Sequence, residues 1–349
     1  MTESNGEVKL RFTAVGDICF GDHYFSIGHG PTAKINKFGS HHIFEDVAPI
    51  LKSGDIVFGN LESVISNKGY DPSDFHSVAF RGSPKAADAL LSGGFNVVNV
   101  ANNHVCQHGG AAFLDSVGIL DSQGIDVVGC LESNTGKPKP LYKTVNGLKI
   151  GFLGYSAVEE AYIPGQKFYS EFQKESVISD IKHIRSDVDI LVLSLHFGIE
   201  AEDTPTENDI HCVREIVDAG VDIFLGHHPH IFQKVELYNG SVIAYSLGNF
   251  LFDLTWDERL RRTAVLQIDV STDLSISYRL WPVRINAVGL PERAPNITFN
   301  FTRGTEKTKL WPPEWLRKLL YLIANFHKGN SYLKAKFIFW KIKCFVRWK

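Results

Sequence analysis

The chain has 349 residues, 44% of them apolar, and 36 Lys and Arg against 39 Asp and Glu, a formal balance of −3. That composition excludes a disordered or collagen-like chain, and the length suffices for a sizeable core in one large or two modest domains. The charge is unevenly spread: residues 309–349 hold ten basic residues against the single acid Glu314, which leaves 26 basic and 38 acidic residues before them, so a body of −12 precedes a tail of +9. An acidic body has no use for a nucleic-acid backbone, and no nucleic-acid partner is expected. A basic tail suits an anionic surface.

Residues 1–9 are polar, with no apolar stretch, so neither a secretory signal nor an amino-terminal anchor is expected and the chain is expected in the cytoplasm. Strands are predicted over 11–15, 56–58, 97–100, 125–128, 149–153, 190–195, 223–225 and 242–245, and helices over 43–52, 85–91, 111–123, 171–185 and 207–219. Gly54, Gly93, Gly124 and Gly220 stand at or just past helix ends, where left-handed caps favour glycine. This alternation predicts an α/β domain with a largely parallel core. Then 264–270, 275–280 and 283–288 succeed one another without helices, which predicts antiparallel strands at a sheet edge. Residues 289–309, with Pro291 and Pro295, are expected to link a body over 1–288 to a basic amphipathic helical tail over 310–349. The five cysteines, Cys19, Cys106, Cys130, Cys212 and Cys344, are scattered and form no C-x-x-C pair, so neither a disulfide framework nor a thiolate zinc site is expected.

The chemistry lies at the carboxyl ends of the strands. Five of them run into Gly16-Asp17, Gly59-Asn60-Leu61-Glu62, Ala101-Asn102-Asn103-His104, His196-Phe197-Gly198 and Gly226-His227-His228-Pro229-His230. In open α/β sheets ligands bind beyond the carboxyl ends of strands, so these side chains can converge on one rim. A lone Asp after a strand is usually a cap, and a lone His usually a hydrogen-bonded structural residue; the coincidence at five strand ends is what points to metal. Carboxylate, amide and imidazole donors without thiolate suit a pair of divalent Mn, Fe or Zn ions. Two such ions would lower the pKa of a shared water and clamp a phosphoryl or carbonyl oxygen.

Residues 11–253 resemble the bacterial capsule-synthesis CapA-like family, associated with poly-γ-glutamate and related polymers, a branch of the calcineurin-like metallophosphoesterases. The resemblance rests on Val15-Gly16-Asp17, Gly59-Asn60-Leu61-Glu62, Ala101-Asn102-Asn103-His104 and His196-Phe197-Gly198-x-Glu200. It rests further on the long block from Gly226-His227-His228-Pro229-His230 through Tyr245-Ser246-Leu247-Gly248-Asn249-Phe250 to Asp253. It implies a four-layer α/β/β/α sandwich of metallophosphoesterase type with a dimetal site at the strand ends. Carried over residue by residue, Asp17 and His230 would hold the first ion, Glu62 would bridge, and Asn103, His196 and His228 would hold the second. His104 would be the catalytic histidine that stabilises the transition state or protonates the leaving group. Either His227 or His228 fits the ligand position, and the spacing to His230 favours His228. Asn60, His227, Glu200 and Asn249 are expected near substrate or behind the ligands. The implied activity is metal-dependent hydrolysis of a phosphoester, less so an amide, in capsule, poly-γ-glutamate or surface polysaccharide biosynthesis. Its substrate would be an anionic polymer or a phosphorylated compound. The alternative is a non-catalytic metal- or polymer-binding component of a membrane-associated polymer synthase complex.

Several residues depart from the family pattern. Cys19 stands where a histidine is common, Gln107 where an aspartate would orient His104, Asp22 where an arginine is common, and Asp209 where a glutamine is usual. Cys19 is expected to be a small buried thiol. His23, His29, His41 and His42 are expected in a solvated loop. In the tail, Trp315, Leu319, Leu322, Ile323 and Phe326 share one arc of a predicted helix over 315–328, opposite Arg317, Lys318 and Lys328. Residues 331–349 mix aromatics with lysines and show no single apolar face. Two readings stay open for this tail. One is an interfacial segment on the inner leaflet of the cell membrane, beside synthase subunits; the other is a helical hairpin packed on the acidic body.

Overall fold

Strand β1 (Val8–Ile18) alternates Lys9, Arg11 and Thr13 with Leu10, Phe12 and Ala14 and is then buried on both faces as far as Ile18, so it supplies two cores. Leu10, Phe12 and Ala14 enter one hydrophobic cluster and Val15 and Ile18 another. The computed structural model describes residues 7–132, 136–159, 168–299 and 312–347. The remaining strands are β2 (Ile56–Leu61), β3 (Val64–Ile65), β4 (Arg81–Gly82), β5 (Val97–Asn99), β6 (Asp126–Val128), β7 (Leu141–Val145) and β8 (Leu148–Ser156). They continue with β9 (Ile190–His196), β10 (Ile223–His227), β11 (Val235–Tyr238), β12 (Ser241–Ala244), β13 (Asn249–Leu251), β14 (Arg262–Ser271), β15 (Ile276–Ile285) and β16 (Pro291–Arg293). The helices are α1 (Pro31–Phe38), α2 (Ala48–Leu51), α3 (Phe75–Val78), α4 (Ala86–Gly93), α5 (Gly110–Ser122), α6 (Lys174–Ile184), α7 (Glu207–Asp218), α8 (Glu314–Asn325) and α9 (Ser331–Arg347).

One sheet runs β16-β15-β14-β1-β2-β5-β6, with β13 added beside the end of β1, and a second runs β11-β12-β10-β9-β8-β7. Their centres are parallel, β1 with β2 with β5 with β6 and β8 with β9 with β10 with β12, while β14, β15 and β16 are antiparallel. The sheets pack face to face through Phe12, Phe58, Val97, Ile150, Phe152, Val192 and Leu225. The Phe12 ring centroid lies 6.2 Å from those of Phe58 and Phe152. Truncating a ring buried this way to alanine costs about 3–5 kcal/mol. The outer face of the first sheet is covered by Leu90 of α4 and Phe113 and Leu120 of α5, and that of the second by Val177 and Ile181 of α6 and Val213 and Ile216 of α7. The molecule is thus the four-layer α/β/β/α sandwich that the resemblance implied. Two glycines let its strand ends close up: a Cβ on Gly16 would lie 1.9 Å from the Gly248 carbonyl oxygen, and one on Gly226 would lie 2.0 Å from that of Tyr245.

Some elements differ from the sequence reading. The helix expected over 43–52 is reduced to Ala48–Leu51, because Pro49 fits only a first turn. The stretch expected as a solvated loop contains α1, opened by Pro31 and anchored by buried Ile35, and His23 packs in an aromatic group with Phe25, Phe80 and Trp256. The strands expected over 275–280 and 283–288 are one strand, β15, which carries Pro282 opposite Ala264. Within the expected linker, Pro291–Arg293 pairs with β15, and 300–309 lies outside the described residues. Asp209 completes a capping box with Thr206 at the start of α7, a folding role that accounts for it.

Helices α8 and α9 lie against the body. Leu333 and Phe337 are buried with Ile27, Phe75, Phe80 and Leu254, and the Phe337 ring stacks on Tyr24 at 4.7 Å. Trp348 and Lys349 of the predicted tail lie outside the described residues. No helix among the described residues is long and apolar enough to cross a membrane.

Candidate metal centre

The parallel strands deliver their polar ends to one rim. Asp17 closes β1, Glu62 succeeds β2, Asn103 and His104 succeed β5, His196 ends β9, and His227, His228 and His230 lie at and beyond the end of β10. Asp17, Glu62, His196 and His227 are completely buried and His230 is 5% exposed. Donor atoms of Asp17, Glu62 and His196 lie within 4.8 Å of one another. Glu62 Oε1 stands 3.8 Å from His196 Nε2, 3.8 Å from His230 Nε2 and 4.0 Å from His104 Nε2. Asn103 Oδ1 lies 3.0 Å from His196 Nε2, and Asp17 Oδ2 lies 3.3 Å from His230 Nδ1. Among the described residues neither oxygen of Glu62 has a hydrogen-bond partner, and neither does His228 Nδ1. Buried polar atoms left without partners are costly, whereas ligand atoms around one ion, each about 2.1 Å from it, stand about 3–4 Å apart. The donor set therefore fits divalent metal.

The two candidates after Gly226 separate in space. The His228 ring lies 4.9 Å from that of His196 and 5.9 Å from that of His230, on the side of the second expected ion. His227 Nδ1 lies 3.4 Å from Asp17 Oδ1, and among the described residues neither buried ring nitrogen of His227 has a hydrogen-bond partner. His228 and His230 both have positive φ, 98° and 59°, a strained backbone that turns two imidazoles inward within three residues.

Asn60 organises the deeper side. Its amide donates to Asp17 Oδ1 at 2.8 Å, and its oxygen accepts from Asn99 at 2.8 Å and Asn102 at 3.2 Å. Asn249 Oδ1 lies 2.9 Å from His230 Nδ1, which leaves Nε2 of that ring toward Glu62. Such outer partners fix the tautomer of a ligand histidine. Glu200 is exposed at the rim, and its charge acts on Glu62, His104, His228 and His230. Sequence reasoning missed Asn99; an asparagine at the end of the apolar run Val97-Val98 was its signal. It also missed Phe80, whose ring stacks on His104 at 4.4 Å and 9°. Gln107 stands where an orienting carboxylate was expected to be lost, yet its Oε1 lies 3.0 Å from His104 Nδ1 and orients the ring itself.

Electrostatics match a site built for cations. Burial and the neighbouring Asp17 charge push Glu62 well above the usual carboxylate range. Burial works to raise Asp17 as well, but His227 and His230 outweigh it and hold Asp17 well below its ordinary value. For His230, burial opposes the charge and is overcome by Glu62 and Asp17, which raise it to about 10. Burial lowers His104 and His228 to about 4 and holds His196 well below its ordinary value, so these rings are neutral, the form that ligates metal. Cys19 is buried, its thiol donates to the Gly21 carbonyl at 3.4 Å, and burial raises its pKa well above the ordinary value. Asp22, also buried, accepts from the Gly28 N–H at 2.7 Å.

Comparison with known proteins agrees with this geometry. A family model described as bacterial capsule synthesis protein PGA_cap matches residues 11–254, well over half of the chain. The chain is 32% identical over 282 residues to the PGA biosynthesis protein CapA of Bacillus subtilis, covering 79% of this chain and 72% of that protein. It is 29% identical over 319 residues to the capsule biosynthesis protein CapA of Bacillus anthracis, covering 87% and 75%. Among solved structures, a phosphatase from Mycoplasma pneumoniae superposes with a TM-score of 0.52 at 14% identity, over 83% of this chain and 96% of that one, which shows a shared fold. With the matched residues spanning both sheets and every donor of the rim, the chain belongs to the bacterial capsule synthesis PGA_cap family.

Proposed function

We propose that this protein is a metal-dependent hydrolase acting on a phosphoester in the synthesis of a capsule, poly-γ-glutamate or another anionic surface polymer. The observation that carries the reading is Glu62: a fully buried carboxylate with no hydrogen-bond partner among the described residues, ringed by three imidazole nitrogens within 4.0 Å. Asp17, Glu62 and His230 would hold one Mn, Fe or Zn ion and Glu62, Asn103, His196 and His228 a second. When bound, such ions supply a hydroxide nucleophile and a Lewis-acid clamp on the substrate oxygen.

The chain's own residues do the rest. Asn60 fixes Asp17, and Asn249 fixes His230. Phe80 and Gln107 hold His104 between a ring face and an amide, with Nε2 facing the rim. An amide partner can present either oxygen or nitrogen to Nδ1, so neutral His104 can keep a proton on Nε2 for a leaving-group oxygen. His104 is accordingly the proposed catalytic residue. Glu200, exposed at the rim, would meet the substrate.

A second reading is a metal-binding component without turnover, serving synthase subunits. It is favoured by Cys19, whose thiol bonds to Gly21 and leaves the first ion a single imidazole, His230. A metal analysis followed by a phosphatase screen of wild type, Asp17→Asn and His228→Ala separates the readings. The hydrolase reading expects bound transition metal and an activity lost in both variants. Metal without activity would support the second reading, and absence of both would reject metal chemistry altogether.

A further inference from the structure

Helix α8 turns Arg317, Lys318 and Tyr321 toward the body, beside its buried Leu322. Arg317, 14% exposed at its side chain, pairs with Asp257 at 2.8 Å; Tyr321 Oη lies 3.2 Å from Ser26 Oγ; and Lys318 Nζ sits 5.3 Å from the Trp256 ring. At 100° per residue, the opposite arc carries Trp315, Leu319 and Ile323, exposed by 66%, 43% and 63%. A helix that only needed to pack on the body would bury that arc and leave its charges in water. Helix α9 explains why its sequence shows no single apolar face: it has two. Leu333 and Phe337 point into the body, while Tyr332, Phe339 and Ile342 point out, exposed by 65%, 60% and 55%.

The outward face of α9 is edged by cations. Lys336 lies 4.7 Å from the Tyr332 ring and Lys343 4.6 Å from the Phe339 ring, so ammonium groups stand beside the exposed aromatics. Over 312–347 Glu314 is the single acid, and it pairs with Lys318. Exposed aromatic and aliphatic side chains bordered by lysines match the depth profile of a phospholipid surface, with rings at headgroup level and ammonium groups on lipid phosphates. A protein partner of ordinary acidity would satisfy the lysines but not the breadth of aliphatic surface on both helices. We infer that the outward faces of α8 and α9 dock the protein on an anionic phospholipid surface. This assignment stands apart from the hydrolase reading, because it uses none of the metal-site residues.

The experiment is co-sedimentation of the full chain with vesicles of phosphatidylcholine mixed with phosphatidylglycerol, and with vesicles of phosphatidylcholine alone. The double variant Ile323→Ser/Phe339→Ser is compared with wild type; both positions are solvent-exposed, so its thermal stability should match. The expected result is binding to the anionic vesicles that weakens on adding salt, is weaker on neutral vesicles, and falls about tenfold or more in the double variant. Absence of binding to anionic vesicles, or binding that the double variant retains in full, overturns the inference. So does a dimer of wild type, seen by sedimentation velocity, that the double variant disperses, since a second copy would then cover the face.

Discussion

Replacing Glu62 by glutamine should give a variant that is more stable than wild type without metal and less stable than wild type with it. The carboxylates of Asp17 and Glu62 present donor atoms within 4.8 Å of each other in a site closed to solvent. Two full charges at that separation would repel by about 3.5 kcal/mol at an effective dielectric constant of about 20, and proton uptake by Glu62, pushed well above the usual carboxylate range, relieves part of it. His230, held protonated with its pKa raised to about 10, offsets part of this. We therefore expect Glu62→Gln to stabilise the metal-free protein by about 1–2 kcal/mol, a rise in Tm of about 1–3 °C. Metal at about a hundredfold excess over its Kd stabilises the native state by about 2.7 kcal/mol per site, and the variant should lose most of that gain. Scanning calorimetry of both proteins in EDTA and in manganese then gives a crossing: the variant melts higher in EDTA and the wild type melts higher in manganese. Equal manganese-induced shifts in the two proteins would show that Glu62 does not hold the metal, and a variant that melts no higher than wild type in EDTA would show that it carries no repulsion; either result would refute the reasoning.

Gln107→Leu removes the partner of His104 and should lower phosphatase kcat about tenfold or more with metal content unchanged, whereas Gln107→Glu should retain activity with an altered pH profile; an unaltered kcat in the leucine variant would remove Gln107 from the site. Burial raises Asp253 from 3.8 to about 8, beside Asp22 raised to about 6, so the stability this group contributes is complete below its unfolded pKa and is lost as pH rises toward 8. Asp253→Asn keeps an acceptor for the His23 N–H, at 2.8 Å from Oδ2 in the wild type, and its stability advantage over wild type should grow from pH 4 to 8 to about 1–3 kcal/mol in urea melts; a constant difference across that range would contradict the cause assigned. Phe337→Ala empties the contact with Tyr24 and Phe75 and should cost about 3–5 kcal/mol locally, read as faster proteolysis between α8 and α9 while the body stays intact. A wild-type cleavage pattern would show that α9 is not held by that ring.

Much of the fold and of the rim is legible in the residues. Apolar strand runs ending in Gly-Asp, Asn-x-Glu, Asn-Asn-His and His-His-x-His announce the parallel sheets and the rim, because a strand buried on both faces carries polar side chains only where it leaves the core. The features that are not legible depend on neighbours distant in sequence. Asn99 looks like an interruption of β5 until Asn60 is seen accepting its amide, and Phe80 is an ordinary aromatic until His104 stacks on it. Asp209 looks like an altered site residue and is a helix cap, since side-chain type alone does not distinguish the two. Pro282 within β15 suggests a break because a proline lacks the ladder donor; its carbonyl instead accepts from Ala294, and the strand continues. The tail is obscure for a different reason: α9 is apolar on two sides because it meets the body with one and leaves the other exposed, and a helical wheel cannot tell these apart.

If the rim residues hold two divalent transition-metal ions, metal stoichiometry shows it most directly. Elemental mass spectrometry of protein purified without chelator, for wild type, Asp17→Asn and His228→Ala, should give about two ions of the Mn, Fe or Zn class per chain in wild type and fewer in each variant. Wild-type protein that holds no such metal after incubation with each of the three ions, or variants that hold as much as wild type, would contradict the account.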